Sequence, residues 1–165
     1  FCGVFMVAIV AAGVTNRAIG GRVLNGTQMS SIFDSLRPVS QTNTQVPNRF
    51  GVQLLADAPV VTVPVGMAMV DGRAGGYNGK AVESLTFRDK EGLLSLLMVG
   101  GLEKVEGIEP SPFGDKYSTG FFNGRMCATW KQGPYTILLM GDRSAEELKA
   151  LARRLVPEDE GAARR

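Results

Sequence analysis

The sequence predicts an α+β fold: an antiparallel sheet of about five strands, packed by a C-terminal helix and preceded by an N-terminal transmembrane helix. Two hairpin signals, Asn78-Gly79 and Gln132-Gly133, predict the antiparallel sheet. Ser144 and Glu147 have the spacing of a capping box, which predicts that the last helix begins there. Residues 1–14 are apolar and uncharged, and this run predicts the membrane-spanning segment.

The apolar run at the N-terminus leaves three interpretations open. As a helix, residues 1–14 would span about 21 Å at 1.5 Å per residue, less than the roughly 30 Å hydrocarbon core of a bilayer. We expect the outer part of a transmembrane helix whose beginning precedes this sequence. A signal-peptide remnant and a buried soluble helix are the alternatives. The expected membrane-anchor residues are Phe5, Val7, Ile9 and Val10.

A short helix and a linker are expected after this run. Thr27 is the expected cap of a helix that ends at Leu36, because Pro38 follows. Residues 37–49 are polar and rich in turn-forming residues, which predicts a linker. The chain is therefore expected to divide into four parts: a membrane anchor and exit (1–24), a short helix and linker (25–49), an α+β domain (50–156) and a disordered charged tail (157–165).

The first expected strands lie on either side of the Asn78-Gly79 turn. Residues 60–65 predict an edge strand or an extended entry, because Pro64 cannot donate a hydrogen bond to a sheet. Residues 81–88 return from the turn, and residues 93–99 are apolar enough to form a central strand. Residues 100–120 contain two prolines and several glycines and predict a long irregular loop.

The best-defined stretch runs from residue 124 to residue 155. Residues 125–130 alternate between apolar and polar positions, whereas residues 135–140 are apolar on both faces apart from Thr136. These patterns predict a half-buried strand followed by an interior strand. The expected helix then has one apolar face, formed by Leu148, Leu151, Ala152 and Leu155.

Composition argues against catalysis, metal binding and nucleic-acid binding. The chain has no histidine, the commonest general base and transition-metal ligand. Its 2 cysteines, Cys2 and Cys127, do not have the spacing of a zinc or redox motif. The net charge is +2, from 18 basic and 16 acidic residues without a basic run. We expect no enzyme activity, no cofactor, no metal site and no nucleic-acid partner.

One phosphate-binding motif is approached but not completed. Residues 72–80 end in Gly-Lys, but Ala74 and Ala81 stand where such a loop needs Gly and then Ser or Thr. The sequence also lacks the Gly-x-Ser-x-Gly elbow of serine hydrolases. A glycine-rich hairpin is the expected structure of this segment.

Three segments together resemble the extracytoplasmic domain of single-pass bacterial transmembrane anti-sigma factors. They are residues 87–96 (FRDKEGLLSL), 128–135 (ATWKQGPY) and 141–148 (GDRSAEEL). In the family, a strand-turn-strand is similarly followed by a Trp-x-x-Gly hairpin and a helix that starts near Gly-Asp. The likeness covers roughly residues 49–155. The family's cytoplasmic sigma-binding module has no counterpart in the sequence, so no residue receives a sigma-binding role.

The resemblance implies a protein that works by contact. We expect a non-catalytic sensing or accessory domain with membrane lipid and other protein subunits as partners, anchored by a single pass in the bacterial inner membrane and facing the periplasm. Arg17 and Arg22 favour the opposite orientation by the positive-inside rule, and the resemblance is followed instead. Two alternatives stay open: a structural subunit of a respiratory or photosynthetic complex, and a fragment of an anti-sigma factor that regulates transcription. The expected partner contacts are Phe113, Tyr117, Phe121 and Phe122.

Overall fold

The computed structural model of this chain describes residues 23–38, 53–112 and 114–157. The apolar run 1–14, with Phe5, Val7, Ile9 and Val10, lies outside the described residues. The same holds for residues 39–49 of the predicted linker, for residues 50–52 at the start of the predicted domain and for residues 158–165 of the predicted tail.

The described residues form nine strands and two helices. These are β1 (Val23–Leu24), α1 (Gly26–Ser35), β2 (Arg37–Pro38), β3 (Ala68–Tyr77), β4 (Lys80–Asp89), β5 (Gly92–Gly100), β6 (Lys104–Val105), β7 (Ser118–Phe122), β8 (Arg125–Gln132), β9 (Tyr135–Gly141) and α2 (Ala145–Leu155).

Seven strands form one antiparallel sheet in the order β2-β3-β4-β5-β9-β8-β7. Two meanders, β3-β4-β5 and β7-β8-β9, are joined by the pairing of β5 with β9, which aligns Leu96 with Leu139. A separate parallel pair joins β1 to β6. The centre of the sheet is therefore made by strands far apart in sequence.

Tight turns connect most of the sheet strands. Asn78 (φ 50°) with Gly79 (φ 74°), and Asn123 (φ 52°) with Gly124 (φ 77°), have the positive φ pairs of type I′ turns. Gly133 has φ 56°, as the first central residue of a type II′ turn requires. These conformations match the right-handed twist of the strands, so each turn sets the register of its hairpin.

Both faces of the sheet are buried. In β9, Ile137 and Leu139 belong to one hydrophobic core, while Leu138 and Met140 belong to the other. The first core lies under α2, which adds buried residues that include Leu148, Ala152 and Leu155. The second core lies under α1, which adds Met29 and Ile32. Burial on both faces explains why β9 is apolar at nearly every position.

Helix α1 belongs to the second core rather than to a spacer beside the domain. Asn25 caps it, with its side chain accepting the N–H of Gln28 in a capping box, so Thr27 lies inside the helix. Ile32 is 1% exposed and Leu36, its C-terminal cap, is 5% exposed. Gly75 of β3 lets Leu36 approach closely, since a Cβ there would lie 3.3 Å from the side-chain Cδ2 of Leu36 and 3.4 Å from the carbonyl oxygen of Ser35.

Residues 53–63, which we call the strap, cross the first core without forming a helix or an extended strand. Ala58 and Val61 are buried in that core, and Leu54, Leu55 and Val63 pack against it. The N–H of Thr62 donates to the carbonyl of Leu155 at 2.7 Å, which ties the strap to the end of α2.

The predicted sheet of about five strands is wrong, because the sheet has seven. The strand β7 occupies the end of the stretch that the sequence predicts as a loop, and β8 pairs with it through Phe121 and Met126. The strand β2 lies in the predicted linker and pairs with β3, aligning Arg37 with Ala74. Neither β2 nor β7 has an alternating apolar and polar pattern of its own. Each forms because it pairs with another strand, β2 with β3 and β7 with β8.

The predicted transmembrane helix and the inner-membrane, periplasmic localisation are also corrected. Within residues 23–38, 53–112 and 114–157, no helix combines the length and the apolar character that crossing a bilayer demands. Helix α1 has 10 residues and α2 has 11, whereas a transmembrane helix needs about 20. This finding contradicts the expectation of a single-pass membrane protein in which an apolar N-terminal helix precedes the α+β domain.

Candidate interaction surface

The sheet ends in the edge strand β7. Among the described residues, β7 is paired only with β8, so no described strand pairs with its other edge. Its five residues, STGFF, contain neither a charge nor a proline. Monomeric proteins usually protect such an edge with charged residues, proline or a bulge, because an open edge accepts further strands.

The opposite end of the sheet has these protective features. Asp71 and Arg73 of β3 form an ion pair at 2.8 Å. A bulge lies between Met69 and Asp71, and β2, which contains Pro38, covers β3 at Arg73 and Ala74. The two ends therefore differ in the features that normally prevent strand addition.

The structure separates the aromatic residues that the sequence predicts as partner contacts. Phe121 is 66% exposed on β7. Tyr117 is 4% exposed, with its ring centroid 5.4 Å from that of Trp130, and Phe122 is 3% exposed in the second core. Phe113 lies outside the described residues. Only Phe121 therefore combines a described position with the exposure that a contact residue needs.

The backbone at Gly107 lies in close contact with the backbone of β7 at Gly120. A Cβ at Gly120 would lie 3.0 Å from the carbonyl oxygen of Gly107, and one at Gly107 would lie 3.2 Å from that of Phe121. Ile108, buried at 3% exposed, packs against Gly120. The segment before β7 thus underlies this strand on the side of the second core. The Asn123-Gly124 dipeptide is the sequence signal that could have identified β7.

A cluster of charged side chains lies at the β4–β5 turn. The side chain of Arg143 is 6% exposed and contacts Asp89 at 2.5 Å and also Glu91. Burial acts to raise the pKa of Asp89, but the N–H of Glu91, the charge and hydrogen bond of Arg143 and the N–H of Gly92 together lower it. The guanidinium pairs with two carboxylates of the turn, so this cluster ties the turn to the start of α2.

A groove of about 360 Å³ opens beside this cluster. One wall is a stripe of α2 at helical spacing: Glu147, Ala150, Leu151 and Arg154. The other wall is the turn 64–67, where the N–H of Met67 donates to Pro64 and Val65 is fully exposed. Positive and negative side chains line the groove together, so it has no clear preference for one charge.

The buried carboxylate of Glu83 is the most unusual polar group in the first core. Glu83 is 0% exposed, and its Oε2 accepts the N–H groups of Leu54 and Leu55, each at 3.2 Å. Its Oε1 has no hydrogen-bond partner in the structure. Burial raises the pKa of Glu83 to about 7, while the hydrogen bonds from Leu54 and Leu55 act in the opposite direction.

The remaining reactive groups are placed for packing. Cys127 is buried in the second core, and burial raises the pKa of its thiol to about 12, which keeps the thiol protonated. Within the described part of the chain, no group of three or more acidic, cysteine or histidine side chains could hold a metal ion.

Comparisons of the chain with models of known families, with curated proteins and with solved structures give no significant match.

Proposed function

We propose that this chain is a protein-contact domain, with a sensing or accessory role and no catalytic activity, and that it acts through the edge strand β7. One observation carries the proposal: β7 combines an open backbone edge, no protective charge and a Phe121 side chain that is 66% exposed. The resemblance of three sequence segments to anti-sigma factor domains supports a regulatory rather than a metabolic role.

Strand addition is the mode of binding that suits this edge. A partner segment in an extended conformation would continue the sheet, and the backbone groups of β7 would supply regular hydrogen bonds. Phe121 would then provide an apolar anchor beside the new strand, since exposed aromatic side chains contribute strongly to interfaces. The close packing of Gly107 and Gly120 holds β7 in place, so little order would have to be gained on binding.

The polar groups described here support a role without catalysis. Arg143 is neutralised by Asp89 and Glu91, and the carboxylate of Glu147 accepts hydrogen bonds from Ser144 in the cap of α2. The thiol of Cys127 is buried and protonated. These groups are engaged in structure, and none is paired with a second group in the way that general acid–base chemistry requires.

The test is recovery of a partner from the cells that produce the protein. Phe121→Lys places a charge on the open edge, and Val70→Lys is the matched control, since Val70 is 41% exposed at the protected end of the sheet. We expect a stoichiometric partner with the wild type and with Val70→Lys, and its loss with Phe121→Lys. Equal thermal midpoints of the two variants would show that folding is not the cause.

Two results would count against the proposal. One is retention of the partner by Phe121→Lys, which would remove β7 from the contact. The other is a wild-type protein that sediments as a monomer without partner at low salt. A complex that contains only this chain would instead identify a second copy as the partner on the same edge.

A further inference from the structure

The carboxyl group of Glu83 connects two parts of the molecule that are distant in sequence. It lies on β4, and it accepts the N–H groups of Leu54 and Leu55 from the strap at 3.2 Å each. The two N–H groups converge on one oxygen, Oε2, while the other oxygen, Oε1, is buried without a partner. The attachment of the strap to the sheet therefore depends on a carboxyl group with half of its hydrogen-bonding capacity unused.

No described cation compensates this carboxylate. Within the described residues Glu83 forms no ion pair, and its neighbours on β3 and β5 are Ala74 and Met98. The titratable groups near it are Tyr135 of β9, on which the charge of Glu83 acts, and Asp57 of the strap, whose charge acts on the same tyrosine. Burial raises the pKa of Tyr135, and the charges of Asp57 and Glu83 raise it further, so neither titratable group stabilises a negative charge on Glu83. Only the N–H groups of Leu54 and Leu55 act in that direction, and burial outweighs them.

We propose that Glu83 is a proton-controlled latch that holds the strap on the sheet. When Glu83 is protonated, the neutral carboxyl group stays buried and Oε2 still accepts the two N–H groups. When the proton leaves, a charge lies in the core with one oxygen unpaired, which is costly. Opening of the strap brings the charge into water, so the open state gains population. Residues of the first core next to the strap then become accessible, such as Leu85, whose side chain lies with that of Leu54 beside Gly72.

The direction of the pH dependence follows from linkage. The pKa of Glu83 is raised from 4.5 to about 7 in the closed state, so closure is most favourable below pH 4.5 and weakens as the pH rises through about 7. If the open strap restores the ordinary pKa, the equilibrium constant for opening rises by up to about 300-fold over this range. The increase in the equilibrium constant for opening would be complete slightly above neutral pH.

Amide hydrogen exchange, corrected for the intrinsic effect of pH, tests the latch. We expect protection of the Leu54, Leu55 and Thr62 amides to fall by up to about 100-fold between pH 4.5 and 7.5, with a smaller fall for amides of β9. Glu83→Gln keeps an acceptor for both N–H groups and cannot lose a proton, so its strap protection should stay constant. Glu106→Gln, at an exposed position, should behave as the wild type.

Each other outcome overturns the latch. Constant strap protection in the wild type, or an unchanged pH dependence in Glu83→Gln, would remove Glu83 from the control of the strap. An equal fall in β9 amides would mean that Glu83 acts on the whole fold. If Glu83→Gln does not fold, the carboxyl ¹³C shift of Glu83 in the wild type decides: a midpoint near 7 supports the latch, and one near 4.5 refutes it.

Discussion

At the scale of single residues, Arg143 shows how burial changes the contribution of an ion pair to the stability of the fold. Exposed pairs such as Lys104 with Glu109, at 3.0 Å, contribute little, because water competes for both charges. Arg143 is 6% exposed and binds Asp89, whose side chain is 17% exposed. Removal of one member of such a pair leaves the other partly desolvated without compensation.

Arg143→Gln should therefore lower the free energy of unfolding by about 2 kcal/mol at pH 7. The pKa of Asp89 is lowered in the folded protein, so its contribution is present above pH 3.8 and is lost as the pH falls. The variant should consequently lose less stability than the wild type between pH 6 and pH 3. Urea denaturation at several pH values measures both effects.

Arg154→Gln is the control for this prediction. Arg154 is exposed at the C-terminal end of α2 and forms no ion pair with the described residues. Its replacement should change the free energy of unfolding by less than about 0.5 kcal/mol. Equal losses from both variants would show that the loss of a positive charge as such, rather than of the buried contact, is responsible.

At the scale of elements, local capping and turn chemistry define where the helices and hairpins begin. The side chain of Ser144 accepts the N–H of Glu147, and the carboxylate of Glu147 accepts the N–H of Ser144. The hydrogen bonds from Ser144 lower the pKa of Glu147. Helix α2 thus begins at the residue that its sequence pattern predicts.

Ser144→Ala should lower the free energy of unfolding by about 1 kcal/mol, because the first turn of α2 loses its acceptor. Ser30→Ala, at an exposed position within α1, should be neutral within about 0.5 kcal/mol. Thermal or urea denaturation of both variants measures the difference. A neutral Ser144→Ala would mean that packing of α2 alone determines where it starts.

The turn between β7 and β8 offers a second test at this scale. Gly124 has φ 77°, which is unfavourable for a residue with a side chain, so Gly124→Ala should destabilise the protein by about 1 kcal/mol. Gly76→Ala is the control, because φ is not positive there and a Cβ would lie 3.7 Å from its nearest atom, the carbonyl of Lys80. Greater exchange of the β7 amides in Gly124→Ala alone would confirm the cause.

At the scale of the whole molecule, the two cores are separated by one sheet and depend on each other. The strand β9 contributes alternate residues to both cores, so loss of its pairing with β5 would expose both. Cys127 lies in the second core at 0% exposure and is a natural probe of this cooperativity.

In a Cys2→Ser background, thiol reagents should label Cys127 at pH 8 at least about 1,000-fold more slowly in the native protein than in the urea-unfolded protein. The reason is that both burial and the raised pKa of about 12 suppress the reactive thiolate. Labelling in minutes under native conditions would instead indicate local opening of the second core.

The sequence by itself determined the elements whose signals are local. The hairpin at Asn78-Gly79, the interior strand that became β9 and the capped start of α2 at Ser144 all follow from neighbouring residues. Turn conformation and helix capping involve residues within four positions of one another, so they can be recognised before the fold is known.

Only the tertiary structure decided which residues are buried together and which edges stay open. The sequence treats Tyr117, Phe121 and Phe122 alike, but Tyr117 packs against Trp130 in the first core, Phe122 packs in the second core, and Phe121 stays exposed. Glu83 breaks the apolar pattern of its strand, yet the strap, 28 residues away, covers it and supplies two N–H groups. Burial and strand pairing join distant parts of a chain, so no local pattern contains them.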